Sequence, residues 1–276
     1  MNVVVLIGNQ ANQKALCHKI AGACKLSAIV VSENIPRKKP DFGHKYRSFI
    51  NRIGNRLAGR AFIDTWFKML AEYESRYPAF PDVPLVKVRN VNDPETLGAL
   101  ERYSPDVTIV SGTNLVGKRV INLANDRGGI INLHTGISPY VKGGPNCTNW
   151  CLAKNWFHLI GNTVMWLDAG IDTGKIITTE RTPLSGDETL FELHMAVMEH
   201  AHELYIRAIR RIRDGYPVPS IPQDSIGEGA LFYTKDWNVG VIRNAAKNFR
   251  ENYRIFIQEK ENLQHMLDGL KLVSLE

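Results

Sequence analysis

The sequence predicts an α/β protein: a mostly parallel β-sheet with helices on both faces, plus a small helical extension at the C-terminal end. Three observations carry this expectation. Residues 2–8, NVVVLIG, form a continuous β-branched run, the mark of a strand buried on both faces, as parallel strands are. Such runs alternate with segments of helical period through the first half of the chain, and a parallel strand needs a crossover to reach the next one. Past residue 156 the alternation gives way to paired strands, a long helix and a proline-broken tail.

The elements follow in order. After the first strand, residues 12–24 read as a helix and SAIVVS (27–32) as the second strand. Residues 35–84 read as an insertion of two helices. The first carries an apolar stripe of Phe49, Ile53 and Leu57; the second, near 61–76, has Phe62, Trp66, Met69 and Tyr73 at helical spacing, a core pattern. Asp93-Pro94 starts the next helix, with Asp as N-cap and Pro in the first turn. PDVTIVSG (105–112) and GGIINLH (128–134) are further strands; 158–168 and 174–184 are two more, joined by the Gly-rich AGIDTG. Ser185 and Glu188 fit a capping box for a helix over 186–214, where Leu190, Leu193, Val197, Ala201, Leu204 and Ala208 keep helical period. GYPVPSIPQ then breaks the chain, and a last helix is expected over 239–268. Its Phe249, Tyr253, Phe256, Leu263, Leu267 and Leu270 keep a 4,3 step with Lys260 in the seam. That stripe suits packing on its own domain or pairing with a second copy in a homodimer. The expected division is a catalytic domain over 1–215 and an extension over 216–276.

Composition bounds the function. With 276 residues, 44% hydrophobic and 22% charged, the chain can bury a full core. No apolar run approaches the ~20 residues of a membrane helix, and no basic n-region precedes the first strand. Cys17, Cys24, Cys147 and Cys151 make neither a disulfide framework nor a two-pair zinc pattern, and Cys147 and Cys151 read as ordinary reduced thiols. The expected setting is the cytoplasm. The net charge of +6 is concentrated in residues 37–60, which hold eight Lys/Arg against one acid, Asp41. Such a segment is a solvated amphipathic face or a site for phosphates of a nucleotide, nucleic acid or lipid.

After the first strand, IGNQANQ keeps only Gly8 of a dinucleotide fingerprint, and the chain has no Walker A motif. The expected fold is Rossmann-like without support for NAD or ATP. In open α/β sheets ligands bind beyond the carboxyl ends of the strands, and Ser111-Gly112, Asn132 to His134, and Asp168 to Asp172 all lie at such ends. Asn132 and His134 are two apart on one strand and share a face. An Asn amide can donate to a developing oxyanion, a His exchanges protons near neutrality, and a carboxylate, here Asp172, orients and charge-stabilises that His. No Ser or Cys nucleophile is required if the acceptor is itself an amine.

INLHTGISPYVKG (131–143) followed by WLDAGIDTGKII (166–177) resembles the family of formyltransferases that use 10-formyltetrahydrofolate. The shared pattern is Asn-x-His-x-x-x-x-Pro with a following Gly, then Asp-x-Gly-x-Asp-x-Gly, and the likeness covers roughly residues 1–215. The resemblance implies transfer of a formyl group to an amine, with Asn132, His134 and Asp172 in the catalytic places. It implies that the pterin lies between the loop at 111–117 and the Asp-bearing loop. Backbone groups of Asn114, Val116, Leu167, Ala169 and Gly170 would read its edge, and Leu115, Val116 and Leu167 would cover its faces. Two positions depart from the common His-x-Ser-Leu-Leu-Pro: Gly136 stands at the Ser place and Ser138 at a Leu place.

The resemblance also bears on the acceptor. The methionyl-tRNA subfamily adds a β-barrel, whereas residues after 215 read as helix. The deformylating hydrolases add a domain before the first strand. Amino-sugar formyltransferases carry extensions, and ALFYTKDWN (230–238) is loosely similar to the short hairpin they place after the long helix. The expected acceptor is a phosphate-bearing small molecule, first a nucleotide-linked amino sugar, second another small amine such as a hydroxylated ornithine side chain for a siderophore. A reading of another class is a non-catalytic module binding RNA or an anionic surface through 37–60, with nucleic acid disfavoured by the Asn-His-Asp set.

Overall fold

The computed structural model describes residues 1–35 and 58–275. The basic segment expected as a helix therefore lies outside the described residues, save its last three. The main sheet has seven strands in the order β3-β2-β1-β4-β5-β7-β8. These are β1 (Asn2–Gly8), β2 (Lys25–Ser32), β3 (Leu85–Val88), β4 (Val107–Ser111), β5 (Ile130–His134), β7 (Gly161–Trp166) and β8 (Ile176–Arg181). The first five in that order run parallel; β7 pairs antiparallel with β5 on one side and β8 on the other. The helices preceding the site are α1 (Ala11–Ala21), α2 (Arg60–Arg76), α3 (Pro94–Tyr103) and α4 (Lys118–Asn125).

Alternation along β1 divides the core. Val3, Val5 and Ile7 pack with Leu16 and Ile20 of α1 and with Leu204 and Ile209 of α6 (Leu190–Arg213). Val4 and Leu6 face the other side with Leu100 of α3 and Val120 and Ile121 of α4. Both faces are thus buried, as the uninterrupted apolar run requires. A third cluster joins Cys151 and Leu152 of α5 (Cys147–Lys154), Leu193 of α6, and Ile242, Tyr253 and Ile257 of the tail.

The structure departs from the sequence expectations at several elements. Strand β3 was not expected; it is four residues long at the sheet's edge, and the Leu85 side chain that should announce it is 44% exposed. α6 starts at Leu190 on a Thr189–Glu192 capping box, not on Ser185–Glu188. Gly186 sits at φ +89, which no helix accommodates, so Glu188 instead closes a turn by accepting from the Ser185 N–H at 2.6 Å. The ALFYTKDWN stretch is no hairpin: β9 (Ala230–Phe232) pairs parallel with β6 (Val141–Gly143). The expected tail helix is broken into α7 (Val239–Asn248), a π-turn at Phe249–Tyr253, α8 (Arg254–Gln258) and α9 (Lys260–Asp268). Of the expected stripe, Tyr253 is buried in this chain's own third cluster and Phe249, Phe256 and Leu270 pack against it, so these four turn inward. Among the described residues no helix is long and apolar enough to cross a membrane.

Candidate active site

Strand order reverses between β1 and β4, the switch point at which open α/β sheets bind ligands. The backbones approach closely there: a Cβ on Gly8 would lie 2.4 Å from the Gly112 carbonyl oxygen. A cleft of about 810 Å3 opens beyond these strand ends. Asn132, His134 and Asp172 all line it, so the structure brings the three expected catalytic residues together.

Each is placed by local structure. Asn132 and His134 share a face at the end of β5, opposite Met165 and Thr163 of β7. The Thr163 hydroxyl donates to the Gly136 carbonyl at 2.6 Å and accepts the Ser138 N–H at 2.9 Å, pinning the turn that follows His134. Ser111 and Gly112 reach the cleft from β4. Just behind, the Tyr205 hydroxyl is wedged between β4 and β5, accepting the Val110 N–H at 3.2 Å and donating to the Ile131 carbonyl at 2.7 Å. Asp172 adopts a left-handed φ of +51, a conformation that costs energy for a non-glycine and persists where the surroundings hold it. Gln223 donates to the carbonyls of Asp172 and Gly174, each at 2.8 Å, and Asp168 accepts from Thr173 at 2.6 Å and Gly170 N–H at 3.0 Å.

His134 is 8% exposed. Its Nδ1 lies 3.3 Å from Asp172 Oδ2, and its Nε2 lies 3.1 Å from the Val141 carbonyl and 3.4 Å from Cys147 Sγ. A carboxylate and a carbonyl only accept, so both contacts are satisfied together only by the doubly protonated ring. Burial opposes that charge; Cys147, Asp172 and the Val141 carbonyl favour it and raise His134 above the ordinary histidine range. Burial pushes the Cys147 thiol up as well, so at neutral pH the sulfur is uncharged and Asp172 is the charge that holds His134 high. The Asn132 amide makes no side-chain hydrogen bond among the described residues and is free to donate into the cleft.

Sequence reasoning missed Cys147, Thr163 and Gln223. Cys147 is the N-terminal residue of α5, and its contact with His134 arises from the turn at 135–146, which no spacing rule gives. Thr163 follows from the antiparallel register of β5 and β7, which places it opposite His134. Gly136 has a steric reason: a Cβ there would lie 2.5 Å from His134 Nε2. The serine of the common pattern does not fit beneath the ring in this position.

The six residues expected to contact folate do not line this cleft, although Thr113 and Asp172 of the same loops do, and Leu167 lines a second cavity with Asp168 and Gly174. The backbone N–H groups of Asn114, Leu167 and Gly170 are already engaged, by Asn34 Oδ1 at 2.9 Å, the Ile130 carbonyl at 2.8 Å and Asp168 Oδ1 at 3.0 Å. The carbonyls of Val116, Leu167, Ala169 and Gly170 accept nothing among the described residues. Leu115 is 59% exposed and Ala169 is exposed, but Val116 is buried with Val120 and Ile121, so its side chain does not cover a ring as expected. The loops thus offer acceptors and an apolar surface, which fit a flat ring whose edge carries N–H donors.

The model of the formyl transferase family matches residues 1–209. A methionyl-tRNA formyltransferase of Clostridium perfringens is 32% identical over 133 residues, 48% of this chain and 42% of that protein. The chain thus spans under half the length of this curated relative. Among solved structures, glycinamide ribonucleotide transformylase 1 from Symbiobacterium toebii matches with a TM-score of 0.52 at 19% identity, over 80% of this chain and 94% of that one. An N-formyltransferase from Helicobacter canadensis, in complex with folinic acid and dTDP-3-aminofucose, matches with a TM-score of 0.56 at 16% identity, over 90% and 81%. These likenesses are of fold.

Proposed function

Because the chain belongs to the formyl transferase family, we propose that it transfers a formyl group from 10-formyltetrahydrofolate to a primary amine, the amino group of a nucleotide-linked amino sugar. The observation that carries the reaction is the buried His134–Asp172 pair beside the unpartnered Asn132 amide on one cleft. The donor supplies a formyl carbon activated by the nitrogen it leaves. The Asn132 amide donates to the oxygen that gains charge as the amine attacks, and the His134 imidazolium, two residues on along the same strand, stabilises the same charge. Asp172 takes the proton shed by the attacking nitrogen, through a water, while His134 gives one to the leaving nitrogen. For that, Nε2 exchanges the Val141 carbonyl for the site's water. Proton transfer from Asp172 to His134 then restores both groups.

The acceptor class rests on the cleft's size and on the ligand of the like-folded Helicobacter protein. No Lys or Arg lines the cleft among the described residues, so its described lining suits the sugar end of such a molecule and leaves the diphosphate elsewhere. The test is formyl transfer from 10-formyltetrahydrofolate to a panel of nucleotide-linked amino sugars, hydroxyornithine, glycinamide ribonucleotide and methionyl-tRNA, read by mass. Formylation of an amino sugar upholds the proposal; formylation confined to another member of the panel replaces the acceptor and keeps the chemistry.

A further inference from the structure

The first turn of α1 meets the cleft with two amides that have nothing to bind. Asn12 is 1% exposed and Gln13 6%, yet Asn12 Oδ1 and Gln13 Oε1 have no hydrogen-bond partner. The Asn12 Nδ2 reaches only the Met198 sulfur, at 3.7 Å. One turn before Met198 on α6, His194 is 7% exposed and makes no hydrogen bond among the described residues. Burial holds this ring low, to about 4, so it is neutral at physiological pH. All three side chains line the cleft that holds the catalytic set, and Asn149, whose Oδ1 is also orphaned, lines it too. Buried polar atoms without partners are costly and rare in native folds.

The chemistry of this wall selects its ligand. An Asn amide, a Gln amide and a neutral imidazole each donate and accept. A phosphate only accepts and would leave the orphaned oxygens Asn12 Oδ1 and Gln13 Oε1 unpaired; an ammonium only donates and would call for carboxylates. A hydroxyl does both. Beside the amides stand Trp66 and Phe67 of α2, the latter 64% exposed, and aromatic faces suit the apolar C–H face of a saturated ring.

We propose that Asn12, Gln13 and His194 form an uncharged subsite that reads the hydroxyl groups of the acceptor's sugar ring, whose apolar face lies on Trp66 and Phe67. The assignment rests on the amino-sugar reading above. It adds that recognition at this end of the cleft is by neutral hydrogen bonds and stacking, independent of charge.

The experiment compares wild type, Gln13→Leu and Phe67→Ala, with dTDP-3-aminofucose and an analogue lacking one ring hydroxyl as acceptors. Phe67 is exposed, so its variant tests the stacking half even where Gln13→Leu folds poorly. Loss of a hydrogen bond raises the acceptor KM about tenfold. That rise is expected in Gln13→Leu, with kcat and the KM for the formyl donor unchanged, and in wild type when the hydroxyl is removed. The two changes together should cost little more than either alone. Phe67→Ala should raise the acceptor KM alone. Amino-sugar turnover with wild-type KM in both variants overturns the subsite and leaves the proposed reaction intact. Turnover of other amines but no amino sugar overturns the acceptor reading and the subsite with it.

Discussion

Asp172 Oδ2 sits 3.3 Å from His134 Nδ1 while accepting the Gly143 N–H at 2.9 Å, so one carboxylate oxygen ties the end of β5 to the short β6 strand and charges the ring between them. Without that carboxylate the charged ring keeps the Val141 carbonyl and Cys147 but loses its charged partner, and burial favours the neutral ring. Asp172→Asn should therefore lower the His134 pKa. The alkaline limb of the kcat/KM profile should move to lower pH, and turnover should fall by about 100-fold or more. An unmoved alkaline limb would show that the limb is not set by His134.

Gly136 tests the packing beneath the same ring. Gly136→Ala places a carbon within 2.5 Å of Nε2 and 2.9 Å of Cys147 Cβ unless the ring moves. The expected outcome is a loss of turnover of at least about tenfold, since roughly 1 Å of misplacement is that costly, with folate binding retained. Wild-type turnover would mean that His134 works from another position.

Tyr205 tests the frame behind the site. Its hydroxyl serves the Val110 N–H and the Ile131 carbonyl, and Tyr205→Phe removes both of these buried hydrogen bonds. Destabilisation of about 1–3 kcal/mol is expected in urea unfolding. A smaller loss would mean that β4 and β5 close the gap themselves.

Acid should weaken the fold before it reaches the carboxylates. His202 is held low, to about 3, and His194 to about 4, in both cases first by burial. An unfolded histidine titrates near 6.5, so as pH falls below that value the unfolded chain binds protons that the folded chain refuses, and stability drops. Glu188 extends the loss: burial raises it, but hydrogen bonds from Ser185 and Tyr253 outweigh burial and hold it at about 2, so its contribution is lost as pH falls below about 4.5. The urea midpoint should decline from pH 7 to pH 4, and His202→Gln should flatten that decline. An equal slope in the variant would contradict it.

How much was legible depended on whether the signal was local. The β-branched runs announced β1, β2 and β4, and the residues at their carboxyl ends marked the site, because strand periodicity and the switch-point rule need only neighbouring residues. Asn132, His134 and Asp172, expected at the end of β5 and in the loop after β7, line one cleft. The edge strand β3 was hidden because its four residues bury only Val88 fully. The start of α6 was misplaced because the Ser/Thr-x-x-Glu pattern occurs twice in eight residues, at Ser185 and Thr189, and only the φ of Gly186 decides between them. The tail packs on its own domain, one of the two readings of its stripe, but not as a single helix, because a π-turn at Phe249–Tyr253 and a break at Glu259 interrupt the pattern. Cys147 and Gln223 act through tertiary contact alone, so nothing local reveals them.

In the proposed reaction Asn132, His134 and Asp172 carry formyl transfer to an amine. The most direct measurement is release of tetrahydrofolate from 10-formyltetrahydrofolate, with mass detection of the formylated amine, in wild type and in His134→Ala. Amine-dependent release with a formyl gain on the acceptor, nearly abolished in His134→Ala while folate still binds, is the predicted result. Amine-dependent release that persists at the wild-type rate in His134→Ala would contradict the account.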